Sequence, residues 1–359
     1  MKILIVKLSS IGDVVHTLPS LYALRSAYPM AEIDWLVEEE AKGIIKGNPM
    51  INNLVVVKKR GFLKDPGRTW RVAKGLKARG YDMVIDFQGL FKSGIWVYLS
   101  GARRRIGFDK GREFSHIFLN EKLDPYDPDK HAVDRYLQLA RYAGGKVEEV
   151  RFPFKFSEDE KESVLGLLKE GNMVKNESFI ILSPSARWET KLWGVEKFAE
   201  LAEEINKRFG FKVVLVGSEA DRGLLHEIAS TANSVINLGG RTTLKELAFL
   251  MKLSLLVISV DSGPMHIASA VGTPVVAIFG PTAPWRTGPY GNNNIIFRRV
   301  LECSPCFSRR CGDNICMKDI TVREVMDGVV AIITGKLKFS APSGKSKKEE
   351  IAVGCDSRV

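Results

Sequence analysis

Two acidic residues, each directly after a short apolar run, are the first candidates for chemistry. Asp13 lies in LSSIGDVVHTLPSL, after the run KILIV, and Asp261 lies in SVDSGPMHIASA, after the run LLVIS. Both segments are typical of a strand that turns into a helix, where free backbone N–H groups meet a polar side chain. In the first segment Ser9, Ser10 and Gly12 form the turn. Asp13 could act at a ligand site or serve only as a helix N-cap, and the residues leave both open.

The segment around Asp261 predicts a pyrophosphate site. Ser262 and Gly263 offer backbone N–H groups, the glycine lets the backbone come close to a phosphate, and Pro264 suits a first helical turn. Asp261 can accept hydrogen bonds from sugar hydroxyls. His266, near the start of the helix, is expected to support the phosphate, although a lone histidine is often only packed in a core.

Two further residues of the second half are expected to meet a nucleotide. Lys191, in SPSARWETKLWGVEKF, precedes a helical pattern, and its ammonium would be a counter-charge for a diphosphate leaving group, which then requires no metal. Glu219, in VLVGSEADR, follows an apolar run and a turn, where a carboxylate can hold ribose hydroxyls. Each alone could be a surface residue. The glycine patterns of dinucleotide-binding and P-loop proteins are missing, which argues against dehydrogenases and NTPases.

Four cysteines near the end of the second half offer a different chemistry. Cys303, Cys306, Cys311 and Cys316 are spaced C-x2-C-x4-C-x4-C. That spacing could ligate zinc or an iron–sulfur cluster in a structural role, although it is looser than a pair of C-x-x-C knuckles. No catalytic metal and no cofactor is expected.

These residues need elements to position them, and the chain alternates short strand-like runs with segments of helical period. The runs of the first half are KILIVK, IDWLV, LVVV and DMVIDF, and those of the second half begin with SFIILS and end with TPVVAIFG. Apolar residues at spacings of three and four predict helices over 14–27 and 70–79. The pattern predicts an α/β protein of two domains. The expected divisions are a first domain over 1–160, a linker over 161–176, a second domain over 177–336 and a disordered tail over 337–359.

The length and the net charge of the chain limit the classes of protein to which it can belong. The chain has 359 residues, more than one core usually supports, and a net charge of +11, with nine basic residues and one acid between Lys58 and Arg79. Such a patch attracts phosphates or an anionic membrane surface, or is a solvated helix face. A nucleic-acid-binding protein is the alternative from another class, but no helix-turn-helix, RNA-recognition signature or aromatic platform accompanies the charge. Without an apolar run typical of a signal peptide or a membrane span, a cytoplasmic protein with peripheral membrane contact is expected.

Seven stretches of the sequence, occurring in a fixed order, resemble those of a known protein family. They are KLSSIGDVVHTLPSL, VEEEA, DFQGLFKSG, GREFSHIFLNEKL, HAVDRYL, TKLWGVEKF and SVDSGPMHIASAVGTPVVAIFGPT. Together they make the chain similar to glycosyltransferase family nine, the lipopolysaccharide heptosyltransferases, over nearly its whole length. The QGLFKSG, GRE and HAVDRYL stretches look most like heptosyltransferase I. The resemblance implies a GT-B fold, with two Rossmann-like α/β domains facing a central cleft, the acceptor on the first domain and the donor on the second.

The resemblance also implies a reaction. Asp13 would be the general base that deprotonates an acceptor hydroxyl while it attacks the anomeric carbon of ADP-heptose, so that ADP leaves with inversion. The acceptor would be the Kdo region of the lipopolysaccharide inner core, Kdo2-lipid A, at the cytosolic face of the inner membrane. Donor contacts are expected at Gly12, Ser185, Lys191, Glu219, Thr242, Asp261, Ser262, Gly263 and His266. Acceptor contacts are expected at Arg60, Lys64, Lys92 and Arg112.

Two enzymatic alternatives remain beside this interpretation. Another family-nine transferase, similar to heptosyltransferase II or adding a different core sugar, would differ in its acceptor. A nucleotide-sugar epimerase would share Rossmann-type strands and sugar substrates, but the sequence lacks the glycine fingerprint for NAD that such an enzyme needs.

Overall fold

A computed structural model of the protein describes residues 1–59, 65–174, 176–232 and 235–335. The chain divides after Lys155 into two compact units, of which the second begins at Phe156. The stretch expected as a linker, 161–176, lies largely in a helix of the second unit that spans Glu158–Glu170. The tail expected over 337–359 falls outside the described residues.

The first unit contains a six-stranded parallel sheet in the order β3-β2-β1-β4-β5-β6. Its strands are β1 (Lys2–Val6), β2 (Glu32–Glu38), β3 (Asn53–Val57), β4 (Met83–Asp86), β5 (Arg104–Phe108) and β6 (Glu121–Leu123). Its helices are α1 (Ile11–Ala27), α2 (Pro66–Arg79), α3 (Phe91–Leu99) and α4 (Ala132–Tyr142), with 3₁₀ turns at Lys42–Ile44 and Arg112–Phe118.

Strands β1 and β4 lie in the middle of this sheet and determine where a ligand can bind. Val6 of β1 pairs with Leu36 of β2 on one side and with Asp86 of β4 on the other. Nearly all residues of both strands are buried, as in a parallel sheet whose two faces are covered by helices. The strand order reverses between β1 and β4, and in open α/β sheets ligands bind beyond the carboxyl ends of the strands at such a reversal.

The second unit contains another six-stranded parallel sheet, in the order β12-β11-β10-β7-β8-β9. Its strands are β7 (Phe179–Ser183), β8 (Lys212–Leu215), β9 (Val235–Asn237), β10 (Leu256–Val260), β11 (Val275–Phe279) and β12 (Asn294–Arg298). Its helices are α5 (Glu158–Glu170), α6 (Val195–Phe209), α7 (Arg222–Thr231), α8 (Leu244–Leu253), α9 (Gly263–Ala270), α10 (Pro284–Thr287), α11 (Ile315–Lys318) and α12 (Val322–Ile333), with 3₁₀ turns at Glu189–Lys191 and Glu219–Asp221. The order of strands reverses between β7 and β10.

Helix α6 illustrates how the sequence builds the second core. Phe198, Leu201 and Ile205 recur at helical spacing and are buried among the strands' apolar residues. Each such side chain contributes roughly 1.5–3 kcal/mol when fully buried. Gly210 ends the helix in the left-handed conformation at φ 69°, which glycine adopts without a steric cost.

Helices α1 and α2 begin earlier than the spacing of their apolar residues predicts. The polar residues that cap them precede the first residues of that apolar pattern. The helix predicted from residue 14 begins at Ile11, after the N-cap Ser10. The helix predicted from residue 70 begins at Pro66, where the Asp65 side chain accepts a hydrogen bond from the Arg68 backbone N–H. Both helices end where predicted, at Ala27 and Arg79. Within the described residues, no helix combines the length and the apolar content needed to cross a membrane.

Candidate active site

Asp13 lies at the reversal point of the first sheet, on the segment that leaves β1. The loop after β4 joins this segment through Gln88, whose Oε1 accepts hydrogen bonds from the backbone N–H groups of Leu8 (3.0 Å) and Ser9 (3.1 Å). The turn that carries Asp13 is therefore fixed from the neighbouring strand. This location agrees with the prediction of a polar side chain at a strand-to-helix turn.

Asp13 is not the N-cap of α1 but the third helical residue. Its Oδ2 accepts hydrogen bonds from the backbone N–H of Ser10 (3.1 Å) and from the Ser10 hydroxyl (2.8 Å), a reciprocal capping arrangement. The Asp13 side chain is nevertheless 35% exposed. The carboxylate thus has both a structural role in the helix start and access to a ligand.

A buried lysine and a tyrosine approach the other carboxylate oxygen. Lys7 is 1% exposed, and its ammonium donates hydrogen bonds to the Phe87 carbonyl (2.9 Å) and to the Tyr136 hydroxyl oxygen (2.6 Å). The ammonium lies 3.6 Å from Asp13 Oδ1, and the Tyr136 hydroxyl lies 3.1 Å from the same oxygen. An ammonium can only donate, so the tyrosine proton is directed at Asp13.

These contacts keep Asp13 ionised. Burial raises the pKa of the Asp13 carboxyl, but the charge of Lys7 and hydrogen bonds from Ser10 and Tyr136 lower it by more, so its pKa lies below the usual value. Burial lowers the pKa of Lys7, an effect that Asp13 and Asp86 oppose. Burial raises the pKa of Asp86 to about 6, although hydrogen bonds from its own loop act in the other direction. At neutral pH the carboxyl of Asp13 is therefore ionised, which is the form that can accept a proton.

Replacing Tyr136 with phenylalanine removes one of the donors that lower the pKa of Asp13, so this pKa is expected to rise. A base with a depressed pKa works above that pKa and loses activity as the pH falls through it, so the acid limb of the kcat/KM profile should move to higher pH. Tyr142→Phe, on the exposed end of the same helix, is the matched control and should leave the limb in place. Equal profiles for wild type and Tyr136→Phe would contradict the assignment of this hydrogen bond.

The predicted acceptor residues of the first unit differ in their surroundings. Lys92, at the start of α3, forms an ion pair of 2.7 Å with Glu38, a side chain that is 2% exposed at the end of β2. Within the part of the chain that the structure describes, the second carboxylate oxygen of Glu38 has no hydrogen-bond partner. Arg112 is exposed and lines a pocket at the carboxyl ends of β4 and β5. Arg60 and Lys64 lie outside the described residues.

Lys191 and Asp261 meet at the reversal point of the second sheet. Lys191 ends the 3₁₀ turn after β7, Asp261 directly follows β10, and their side chains form an ion pair of 2.6 Å. Asp261 Oδ2 also accepts a hydrogen bond of 2.6 Å from the Thr282 hydroxyl. The Lys191 ammonium lies 4.6 Å from the centre of the Trp188 ring. The two residues that the sequence assigned separately to diphosphate and sugar thus form one buried pair.

The start of α9 lies next to this pair. Ser262 is the N-cap of α9, Gly263 is its first residue, and Pro264 follows in the first turn, as the sequence predicts. His266 is 7% exposed in the same helix. An eight-residue helix with its N-terminus at the end of β10 can direct backbone N–H groups at an anion.

The remaining predicted donor residues of the second unit lie after β7, β8 and β9, whereas Gly12 is the buried second residue of α1 in the first unit. Ser185 follows β7 and is buried, whereas Glu219 begins the 3₁₀ turn after β8, exposed and 3.0 Å from Arg222. Gly240 has a positive φ of 71°, and a Cβ there would lie 2.5 Å from Glu219 Oε2, so glycine permits their close approach. Thr242 follows two residues later and is partly exposed. All three predicted residues lie beyond the carboxyl ends of neighbouring strands.

The four-cysteine segment is the candidate for a structural metal site. Cys303, Cys306 and Cys311 are exposed, Cys316 is buried, and all four thiols are unpaired. Within the described residues, no three His, Cys, Asp or Glu side chains lie in an arrangement that could hold a metal ion. Burial, followed by the three neighbouring thiols, raises the pKa of Cys316.

Three residues of these sites were not predicted from the sequence. Lys7 and Tyr136 both contact Asp13, and Thr282 contacts Asp261. Lys7 carried a signal, because it is a lone cation after an otherwise apolar strand. Tyr136 belongs to the stretch HAVDRYL, but no spacing rule connects it with a residue 123 positions earlier.

Comparison with known proteins places the chain in a family. The sequence profile of glycosyltransferase family 9 (heptosyltransferase) matches residues 69–315. A lipopolysaccharide core heptosyltransferase OpsX of Haemophilus influenzae is 31% identical over 299 residues, which are 81% of this chain and 83% of the relative. The chain belongs to glycosyltransferase family 9. It is therefore a glycosyltransferase, and the resemblance drawn from the seven stretches is confirmed.

Solved structures of family 9 agree with the fold. The structure of E. coli heptosyltransferase WaaC with ADP is 25% identical, with a TM-score of 0.75, and the match covers 92% of this chain and 100% of that one. The same enzyme with ADP-2-deoxy-2-fluoro heptose matches with 25% identity and a TM-score of 0.72, over 92% of this chain and 99% of the other. The predicted α/β fold of GT-B type is confirmed by these matches and by the two parallel sheets.

Proposed function

We propose that this family-9 enzyme transfers L-glycero-D-manno-heptose from ADP-heptose to the Kdo region of Kdo2-lipid A, with inversion and with Asp13 as general base. The observation that carries the proposal is the ionised, partly exposed carboxylate of Asp13 at the reversal point of the first sheet. The relative named above is a lipopolysaccharide core heptosyltransferase, and a matching structure contains an ADP-heptose analogue. The similarity supports heptose as the sugar, and the carboxylate supports the mechanism.

The acceptor hydroxyl would lose its proton to Asp13 as its oxygen attacks the anomeric carbon. The new carbon–oxygen bond forms on the face opposite the diphosphate, and the bond from the anomeric carbon to the diphosphate oxygen breaks. ADP leaves with the bonding electrons, and Asp13 carries the proton until solvent removes it. The tyrosine hydroxyl and the ammonium of Lys7 hold the carboxylate in place through this step.

The donor would bind beyond the carboxyl ends of β7 to β10. Charge builds on the diphosphate as ADP leaves, and Lys191 with the backbone N–H groups of Ser262 and Gly263 would stabilise it electrostatically. His266 would support the phosphate, and Asp261 would accept hydrogen bonds from the heptose. The other donor contacts we propose are Glu219 with the ribose, and Gly12, Ser185 and Thr242 with the rest of the nucleotide sugar.

The acceptor is an anionic lipid, which gives the net charge of +11 a physical partner. Lys92, Arg112 and the basic residues Arg60 and Lys64 would meet its phosphates and carboxylates. We therefore propose that the enzyme works from the cytosolic side of the inner membrane through peripheral, salt-sensitive contact with the anionic surface.

The test is to incubate the purified protein with ADP-heptose and Kdo2-lipid A in excess EDTA and to follow ADP release and acceptor mass together. The expected result is a gain of one heptose for each ADP released. A parallel reaction with Kdo2-lipid A that already carries one heptose separates this activity from that of a heptosyltransferase II. Consumption of another sugar nucleotide while ADP-heptose stays intact would overturn the proposed donor, and loss of turnover in EDTA would overturn the metal-free mechanism.

A further inference from the structure

Helix α2 of the first unit presents positive charge on its exposed side. Its inner side packs through Ala73 and Leu76 into the apolar core that it shares with α3. Trp70, Lys74 and Lys77 recur at spacings of four and three along the exposed surface, and the Lys74 ammonium lies 5.4 Å from the centre of the Trp70 ring. The helix therefore combines cations on one surface with an aromatic side chain of the kind that is enriched at interfaces.

The cations of this surface are not neutralised by the protein. Among the residues that the structure describes, Arg71, Lys74 and Lys77 are exposed and have no carboxylate within ion-pair distance. Asp65, the acid at the helix start, accepts a hydrogen bond from the Arg68 backbone N–H instead. Like charges spaced three apart on a helix repel one another, so an external anion would stabilise this arrangement.

The 3₁₀ turn Arg112–Phe118, which packs on α3, adds exposed apolar side chains. Phe118 of the turn packs against Phe91 of α3, with ring centres 5.4 Å apart. Phe114 and Ile117 of the same turn are more than half exposed. The Phe114 backbone is left-handed, with φ 58°, a conformation that is unfavourable for a residue with a large side chain. Apolar side chains exposed together on such a strained turn are typical of a contact surface.

We propose that the helix and the turn form a docking face for an anionic phospholipid bilayer, composed of Trp70, Arg71, Lys74, Lys77, Phe114 and Ile117. The cations meet the phosphate head groups, the Trp70 ring lies among them, and the two apolar side chains of the turn reach the upper acyl chains. A nucleic acid would attract the cations as well, but it offers no hydrocarbon phase to Phe114 and Ile117. This inference rests on the proposed function only for its peripheral membrane contact, and it assigns that contact to residues other than those proposed for the acceptor.

The binding experiment uses the full chain without a donor or an acceptor, so it does not depend on transfer. The probes are vesicles of phosphatidylcholine alone and of phosphatidylcholine with phosphatidylglycerol, and flotation measures the bound protein. Wild type should bind the vesicles that contain phosphatidylglycerol. The triple variant Arg71→Gln, Lys74→Gln and Lys77→Gln should bind them about 100-fold more weakly, which is about fivefold for each cation. The matched control is Lys169→Gln, Lys207→Gln and Arg208→Gln, which removes the same charges from exposed positions of the second unit and should leave binding unchanged.

Three results would overturn the assignment of the cations. Equal losses in the triple variant and its control would mean that binding depends on net charge rather than on this face. Equal binding of wild type to both kinds of vesicle would mean that the charge of the bilayer is not recognised. A DNA duplex is titrated in parallel, and tighter binding of the duplex than of the anionic vesicles would assign the face to nucleic acid.

The aromatic and apolar residues are tested by their depth in the bilayer. Vesicles with brominated acyl chains quench the fluorescence of a tryptophan that lies at the bilayer surface, so Trp70→Phe should remove most of the quenching but keep most of the binding. Phe114→Ser with Ile117→Ser should weaken binding by about tenfold or more, because their apolar area no longer leaves water. Met30→Ser, at another exposed apolar residue of the first unit, should have no effect. Quenching that persists in Trp70→Phe would mean that another surface faces the bilayer, and the proposal would be wrong.

Transfer assays separate this inference from the proposed function. The triple variant should lower kcat/KM for a lipid acceptor embedded in anionic vesicles but not for a water-soluble acceptor without acyl chains. Equal losses with both acceptors would mean that these cations bind the acceptor itself, and the docking face would be wrong. If transfer fails with every acceptor while face-dependent vesicle binding remains, the proposed function is wrong and the docking face stands. If transfer proceeds and the triple variant binds vesicles like wild type, the docking face is wrong and the proposed function stands.

Discussion

Asp13→Asn is expected to lower kcat for heptose transfer by about 10²- to 10⁴-fold, the usual contribution of a general base. The amide is close in shape to the carboxylate and can still accept the hydrogen bond from the Ser10 backbone N–H, so the start of α1 is preserved. It cannot take a proton from the acceptor hydroxyl. The ion pair with Lys7 is also lost, and the thermal unfolding temperature, measured alongside, reports the structural part of the change.

Two controls separate loss of the base from loss of structure. Asp124→Asn removes the same charge from an exposed position of the first unit and should leave kcat unchanged. Affinity for ADP should be the same in wild type and Asp13→Asn, because the donor phosphates are assigned to the second unit. If Asp13→Asn keeps more than about one tenth of the wild-type kcat, the decrease is smaller than general-base catalysis usually contributes. That result would exclude Asp13 as the general base.

The sequence predicted the locations of both acidic residues because these depend on local rules. Apolar runs of strand length, followed at once by small residues and an amphipathic period, place Asp13 and Asp261 at the carboxyl ends of strands. Helix starts were missed by three and four residues, since Ser10 and Asp65 cap the helices from outside the apolar period. Local sequence patterns therefore predict that a residue lies at the carboxyl end of a strand more accurately than they predict the first residue of a helix.

The electrostatics of the sites could not be predicted in the same way, because they depend on packing between distant segments. The contact from Tyr136 to Asp13 spans 123 positions and requires α4 to pack beside α1. The pair of Lys191 and Asp261 spans 70 positions and arises from the pairing of β7 with β10. The cysteine spacing is compatible with metal binding, but among the described residues no three potential ligands lie in an arrangement that could hold a metal ion.

Lys191→Gln is expected to lower kcat/KM for the donor by about 10²- to 10³-fold, as the loss of one electrostatic contact to a developing charge does. The wild-type side chains of Lys191 and Asp261 are only 16% and 7% exposed, so solvent screens their charges little. Removing the ammonium leaves Asp261 as an unpaired carboxylate beside the place assigned to the diphosphate. Both the lost attraction and the new repulsion act against ADP-heptose, and titration with ADP measures their sum without turnover.

The double variant Lys191→Gln with Asp261→Asn distinguishes the two contributions. Breaking a buried pair by removing one partner costs about 3–5 kcal/mol of stability, whereas removing both charges avoids the unpaired carboxylate. If the lysine itself neutralises the diphosphate, the double variant should regain thermal stability but still bind ADP weakly, while Lys191→Arg should keep most of the affinity. Recovery of ADP binding in the double variant would mean that Lys191 serves only to neutralise Asp261, and the diphosphate would then depend on the N-terminus of α9 alone.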